Sequence, residues 1–442
     1  MCILYLHITN FISIVMSLLM KKTILVISSI YGSFFSLNVL ADISSAQIQP
    51  ANLESIIISL YGGDGVQLIT STAGFSHSPH FQDDALQELN QLTQGTLDSK
   101  LPTPSTSSGI IYQYDASLDD FVQSNDSLGP IFVERANTLG SGNMMFGFNY
   151  SSAHWDTYNN KGLHNINLVL DHRDLNEPGS DICIGGPAGA CYLFEEDDIN
   201  LTLDINFQTK AMFFFSAYGI TDKWDVGLMV PVVKNSLSVK AYAVVNEDPS
   251  SQYFAQDVHL FDEHGINGDA PMDALSGSKS GIGDILLFSK YNLVEEKDHQ
   301  LALSFVARLD TGDKANLMGF DSYGFKTSVL SSHYFDIANM PFKLHINIGY
   351  DINAGVLGQD EIDYALALEQ PIEWSDSVLA LSYEIIGEKD INKNRDHNLD
   401  AAISMKYFMN EFGILSLSGR VPLNNDGLRA SFIYVLGYEI YF

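Results

Sequence analysis

Few residues in this 442-residue chain are spaced for chemistry. Gly-x-Ser-x-Gly, His-Glu-x-x-His and Cys-x-x-Cys are all missing, so neither a nucleophile elbow, a zinc-protease helix nor a redox dithiol is present. Ser, His and Asp could still converge from distant positions, which leaves a hydrolase as the weakest functional reading. His77 and His80 stand three apart, a metal-ligand spacing on a helix, but Ser78 and Pro79 between them favour a loop and no metal site is expected. Cys183 and Cys191 bracket Ile-Gly-Gly-Pro-Ala-Gly-Ala; in an exported protein such a pair is expected to form a disulfide. No cofactor motif occurs. What remains is a mixed-charge series: Arg308, Lys343, His345, Glu384, Lys406 and Arg420. Each takes a polar position within an alternating segment, and together they could line a solute path whose basic members attract anions. The competing structural reading has them as cross-strand ion pairs filling a narrow interior.

The elements that must position this series are strands. Leu201, Leu203, Ile205 and Phe207 alternate with Thr202, Asp204, Asn206 and Gln208, so one face meets an apolar medium and the other water. By that rule Asp204 and Lys210 point inward, along with Asp363 and Glu369. A turn at 221–223 follows, flanked by Tyr218 and Trp224, as expected where strands leave hydrocarbon. Twelve such segments are expected: 143–155, 199–219, 224–245, 282–292, 300–309, 323–334, 342–352, 361–369, 377–386, 399–408, 412–421 and 429–442. Their connections alternate short and long, the asymmetry of periplasmic turns and outer loops. Residues 163–170 could add a strand, so the expected barrel has 12–14. The last strand carries Phe432, Tyr434, Leu436, Tyr438, Ile440 and Phe442 on one face, and its terminal Phe442 resembles the signal read by the barrel-assembly machinery.

Lys21 and Lys22, the apolar run 23–37 and the exit Val39-Leu40-Ala41 have the order of a secretory signal peptide, and residues 1–19 are read as a start placed too early. Three regions are therefore expected: a signal peptide at 1–41, a loop-rich periplasmic or plug segment at 42–140, and a barrel at 141–442. Asp83–Leu92 suits a short amphipathic helix within the second. Removing Lys21 and Lys22 leaves 21 basic against 54 acidic residues, a formal charge of about −33, which argues against nucleic acid as a partner. After the signal there is no apolar run of about 18 residues, so a membrane protein with this sequence must be a closed antiparallel β-barrel in contact with outer-membrane lipid.

Several segments resemble a family of bacterial outer-membrane transporters linked to the meta-pathway of phenol degradation, distantly similar to long-chain fatty-acid channels. They are Tyr218-Gly-Ile-Thr-Asp-Lys-Trp-Asp-Val-Gly-Leu-Met-Val-Pro231, Gly281-Ile-Gly-Asp-Ile-Leu-Leu-Phe-Ser-Lys-Tyr291, Asp310-Thr-Gly-Asp313 and Asn347-Ile-Gly-Tyr350, with Ser127–Arg135 extending the likeness upstream. The resemblance implies a Gram-negative outer-membrane channel, not an enzyme, passing small hydrophobic or aromatic solutes by facilitated diffusion. A surface-exposed adhesin or structural outer-membrane protein acting through the long connections 156–198 and 246–281 is the alternative.

Overall fold

The computed structural model describes residues 52–58, 103–105, 111–115, 120–124, 127–171, 198–246, 273–338, 340–354, 360–374, 377–391, 397–409 and 413–442. The expected signal peptide, the helix at 83–92, His77, His80, Cys183 and Cys191 lie outside them.

Twelve antiparallel strands form a closed ring. They are β1 (Met144–Tyr158), β2 (Asp198–Thr221), β3 (Trp224–Asn246), β4 (Leu286–Glu295), β5 (His299–Arg308) and β6 (Gly324–Ile337). Then follow β7 (Met340–Asn353), β8 (Glu361–Trp374), β9 (Ser377–Asp390), β10 (His397–Phe408), β11 (Ile414–Pro422) and β12 (Leu428–Tyr441). Each pairs with its sequence neighbour except at the seam, where β1 pairs with both β12 and β2. Closure leaves no ladder edge facing lipid, the condition for sheet in hydrocarbon.

Alternation explains the outer surface. Leu366, Ile385, Ile403, Leu417, Phe432 and Leu436 are exposed, whereas Ala367, Glu384, Ser404 and Ser418 one step away are buried. So wide an exposed apolar band would be an aggregation surface in water; it is a lipid face here. Tyr218, Trp224 and Tyr291 mark the edge of this band at the short-turn end, and Tyr323, Phe325 and Tyr350 mark the other.

β2 and β3 are 24 and 23 residues long and extend past their neighbours on the long-loop side. There the expected register is reversed. Leu201, Leu203, Ile205 and Phe207 point inward and are buried, while Asp204 and Lys210 point outward. The apolar set is not facing lipid: it packs with Leu237 and Val239 of β3 and with Leu53, Ile56 and Ile57 from the amino-terminal part of the chain. Asp204 instead meets His164 on the outside.

Two short strands flank this extension. Ile166–Asp171 pairs with β2, and Asp273–Ile282 pairs with Val232–Ala241 of β3. The second falls, but for Ile282, inside the expected long connection 246–281. Its sequence, Asp-Ala-Leu-Ser-Gly-Ser-Lys-Ser-Gly-Ile, is too rich in Ser and Gly to signal a strand, and only the long partner β3 makes it one.

Candidate functional site

The barrel interior divides into a filled half and an open half. On the short-turn side, residues 127–139 cross the lumen with their backbone hydrogen-bonded to side chains of the wall. Glu369 of β8 accepts from Leu128 N (3.0 Å), Gly129 N (3.2 Å) and Ser127 Oγ (2.7 Å). Glu384 of β9 accepts from Ile131 N, Phe132 N and Val133 N (3.1, 2.8 and 3.0 Å) and from Ser404 Oγ. Ala136 N donates to Ser332 Oγ (3.0 Å), and Leu139 N reaches both oxygens of Asp225 (2.9 and 3.1 Å). Lys290 and Asn292 donate to the carbonyls of Arg135 and Ala136. A segment with no regular structure must place its backbone groups somewhere, and here the wall supplies the partners.

The neighbouring interior positions are filled by pairs. His345 Nε2 donates to Glu369 (3.1 Å) while its Nδ1 meets Ser332 Oγ (2.9 Å). Lys406 Nζ donates to Glu439 (3.1 Å), and Lys343 Nζ lies 4.7 Å from the centre of the Tyr334 ring. Lys343, His345, Glu384 and Lys406 thus face inward as the alternation predicts, yet they are buried and do not border the cavity on the long-loop side. Glu384 binds residues 131–133 directly, and His345 reaches the segment through Glu369.

Arg308 and Arg420 are placed differently. Both border a cavity of about 300 Å³ in the long-loop half of the barrel. Phe132 and Glu134 form part of its floor, and Leu317–Phe320 of the β5–β6 connection lie over it. One side is apolar, built from Phe207, Phe213, Val233, Leu286 and Phe288 on β2–β4. The opposite side is charged: Lys326, Asp351, Asp363, Glu388 and Arg420 on β6–β9 and β11.

The lid is held by Asp284, which the charge series leaves out. Its Oδ1 accepts from Thr311 N (3.1 Å) and Gly312 N (2.8 Å), and its Oδ2 from Phe320 N (2.9 Å). Arg308 Nη1 lies 3.9 Å from Asp284 Oδ2, and the guanidinium sits 3.9 Å over the Phe320 ring. Two short motifs of the sequence therefore meet here, Gly281-Ile-Gly-Asp284 and Asp310-Thr-Gly-Asp313. The first is an anchor in the wall and the second the loop it grips, a pairing that separate reading of the motifs does not reveal. Asn235 completes the grip by donating from Nδ2 to the carbonyls of Asn316 and Leu317.

A twelve-stranded ring with a lipid-facing apolar band, short turns at one end and a part-filled lumen defines an outer-membrane β-barrel of a Gram-negative bacterium. Over residues 191–422 the chain matches the family described as "Putative MetA-pathway of phenol degradation", and it belongs to that family. No curated protein matches it. Similar solved structures include an outer membrane channel from Pseudomonas putida F1, with 11% identity, a TM-score of 0.37 and coverage of 70% of this chain and 98% of that one. The toluene transporter TbuX from Ralstonia pickettii shows 11% identity, a TM-score of 0.30 and coverage of 69% and 90%. The monoaromatic hydrocarbon channel CymD shows 8% identity, a TM-score of 0.31 and coverage of 69% and 89%. Likenesses this distant carry no argument about cargo.

Proposed function

We propose that the protein is a channel through which small apolar or aromatic molecules cross the outer membrane by facilitated diffusion. The observation that carries this reading is the cavity inside the ring. Its 300 Å³ is the lower end of the range found for small-molecule sites, about 300–1,000 Å³, and it has the mostly apolar lining with a few polar groups that such sites share. A barrel filled throughout by side chains would have no such space. Membership in a family linked to phenol degradation supports an aromatic cargo.

In this reading residues 127–139 are the internal barrier, and passage requires them to shift from Glu369 and Glu384. The described residues ahead of β1 then help to fill the lumen: Leu53 and Ile56 pack at one end of the cavity region, and Ser105 N donates to Ile131 O (2.6 Å) beside its floor. Arg308 and Arg420 are the members of the charge series that meet the solute, while Glu384, with His345 behind Glu369, holds the barrier. Catalysis has no part in it.

The test is uptake of radiolabelled phenol and benzyl alcohol by outer-membrane vesicles made with and without the protein. Faster uptake with the protein is expected. Equal rates, together with zero conductance in planar bilayers, would mean a solid barrel and end the channel reading.

A further inference from the structure

The charge series in the sequence suggests a path that attracts anions, but the cavity has the opposite bias. Its described lining holds three basic residues, Arg308, Lys326 and Arg420, and five acidic ones, Glu134, Asp284, Asp351, Asp363 and Glu388. Each basic group also sits beside a carboxylate: Lys326 Nζ lies 2.7 Å from Asp363, Arg420 Nε donates to Asp400 (2.8 Å), which Arg429 shares, and Arg308 leans on Asp284. An incoming anion would have to compete with those partners and would still meet a net negative wall.

The carboxylates of Asp351, Asp363 and Glu388 on this wall are themselves hydrogen-bond acceptors, so it favours a ligand that brings an N–H or O–H group and is hostile to a carboxylate.

From these features we infer that the cavity selects by charge, taking aromatic molecules that carry a cationic or hydrogen-bond-donating group and rejecting aromatic carboxylates. The aromatic body lies against Phe207, Phe213 and Phe288, and its cationic end faces Asp351, Asp363 and Glu388 across the cavity. Acidic rings and walls are the usual means by which pores favour cations, and aromatic side chains add attraction for an organic cation. The inference rests on the channel reading for transport, but not for binding.

Three probes of one aromatic core separate the possibilities: benzyltrimethylammonium, benzyl alcohol and benzoate. Binding is followed by the tryptophan fluorescence of the full-length protein in detergent, since Trp155 borders the cavity; Trp155→Phe identifies its share of the signal. The cation is expected to bind most tightly, the alcohol next and benzoate least. Asp351→Asn with Glu388→Gln should weaken the cation by about fivefold, the scale of half-buried charge contacts, and leave the alcohol within twofold. The reversal potential in a KCl gradient should show cation preference in wild type and less in the double variant. Binding in this order without conductance would overturn the channel reading and uphold the selectivity. Benzoate binding as tightly as the cation, or an anion-selective reversal potential, would overturn the selectivity and leave the channel intact. If the double variant is lost to misfolding, Glu134→Gln on the floor provides the same comparison from outside the wall.

Discussion

Two glutamates hold the segment that crosses this lumen. Glu384 receives three consecutive backbone N–H groups and a serine hydroxyl, and Glu369 receives two N–H groups, Ser127 Oγ and His345. Removing a carboxylate that satisfies buried donors costs about 1–3 kcal/mol for each one left unmet, less whatever the segment regains by shifting. Glu384→Ala is therefore expected to loosen residues 127–139 without unfolding the ring, whose ladders it does not touch. Single-channel recordings should show higher conductance or more frequent opening, while the heat-modifiable shift on semi-native gels stays as in wild type. Conductance unchanged in both Glu384→Ala and Glu369→Ala would mean that this segment is not the barrier. Asp284 poses the parallel test at the lid. Asp284→Ala leaves Thr311, Gly312 and Phe320 without their acceptor, so amide exchange should accelerate across 311–320 but not across the adjoining strand β5.

Among the elements, the twelve ring strands were legible because lipid imposes a strict period of two on every one of them. What the period does not reveal is which face looks outward. In β7 to β12 the apolar face meets lipid as expected, whereas the first half of β2 inverts this, because its apolar residues cover an internal cluster with Leu53, Ile56 and Leu237. Alternation reads as apolar on one side in either case; only the packing partner from a distant part of the chain distinguishes them. The path across the lumen was illegible for a related reason. Residues 127–139 have no periodicity, and their hydrogen bonds run to side chains some 200 residues away in sequence, such as Ser332 to Ala136 at a separation of 196. One glycine shows how tightly the residues just after this segment meet the wall. At Gly219 a Cβ would lie 1.9 Å from the carbonyl oxygen of Gly140, and Gly219 also exchanges hydrogen bonds with Gly142 and Asn143. Gly219→Val should therefore separate the chain's approach to β1 from the turn after β2. Reduced yield of folded, heat-modifiable barrel is the expected readout, with Ile220→Val beside it as a neutral control.

At the scale of the whole molecule, the barrel is a sheet whose two sides answer to different solvents, and that makes charge the sharpest probe of its orientation. Ile403 on β10 is 63% exposed on the lipid face, while the next residue, Ser404, is 2% exposed and donates to Glu384. An arginine at Ile403 would stand in hydrocarbon, at a cost of up to about 2–4 kcal/mol if it lies near the midplane and less toward either interface. The buried ion pair Lys406–Glu439 tests the interior on the same strand. Lys406→Met leaves Glu439 buried without its cation, a loss of about 3–5 kcal/mol for breaking such a pair, whereas Lys406→Met with Glu439→Leu removes both charges and should recover much of it. Reversible urea unfolding in thin-bilayer vesicles would measure all three. The ring described here requires Ile403→Arg and Lys406→Met each to lower stability, and the double variant to lie above Lys406→Met. If Ile403→Arg were neutral while Ile403→Ser lowered stability, β10 would have to face the other way, and the lipid band would belong to the opposite set of side chains.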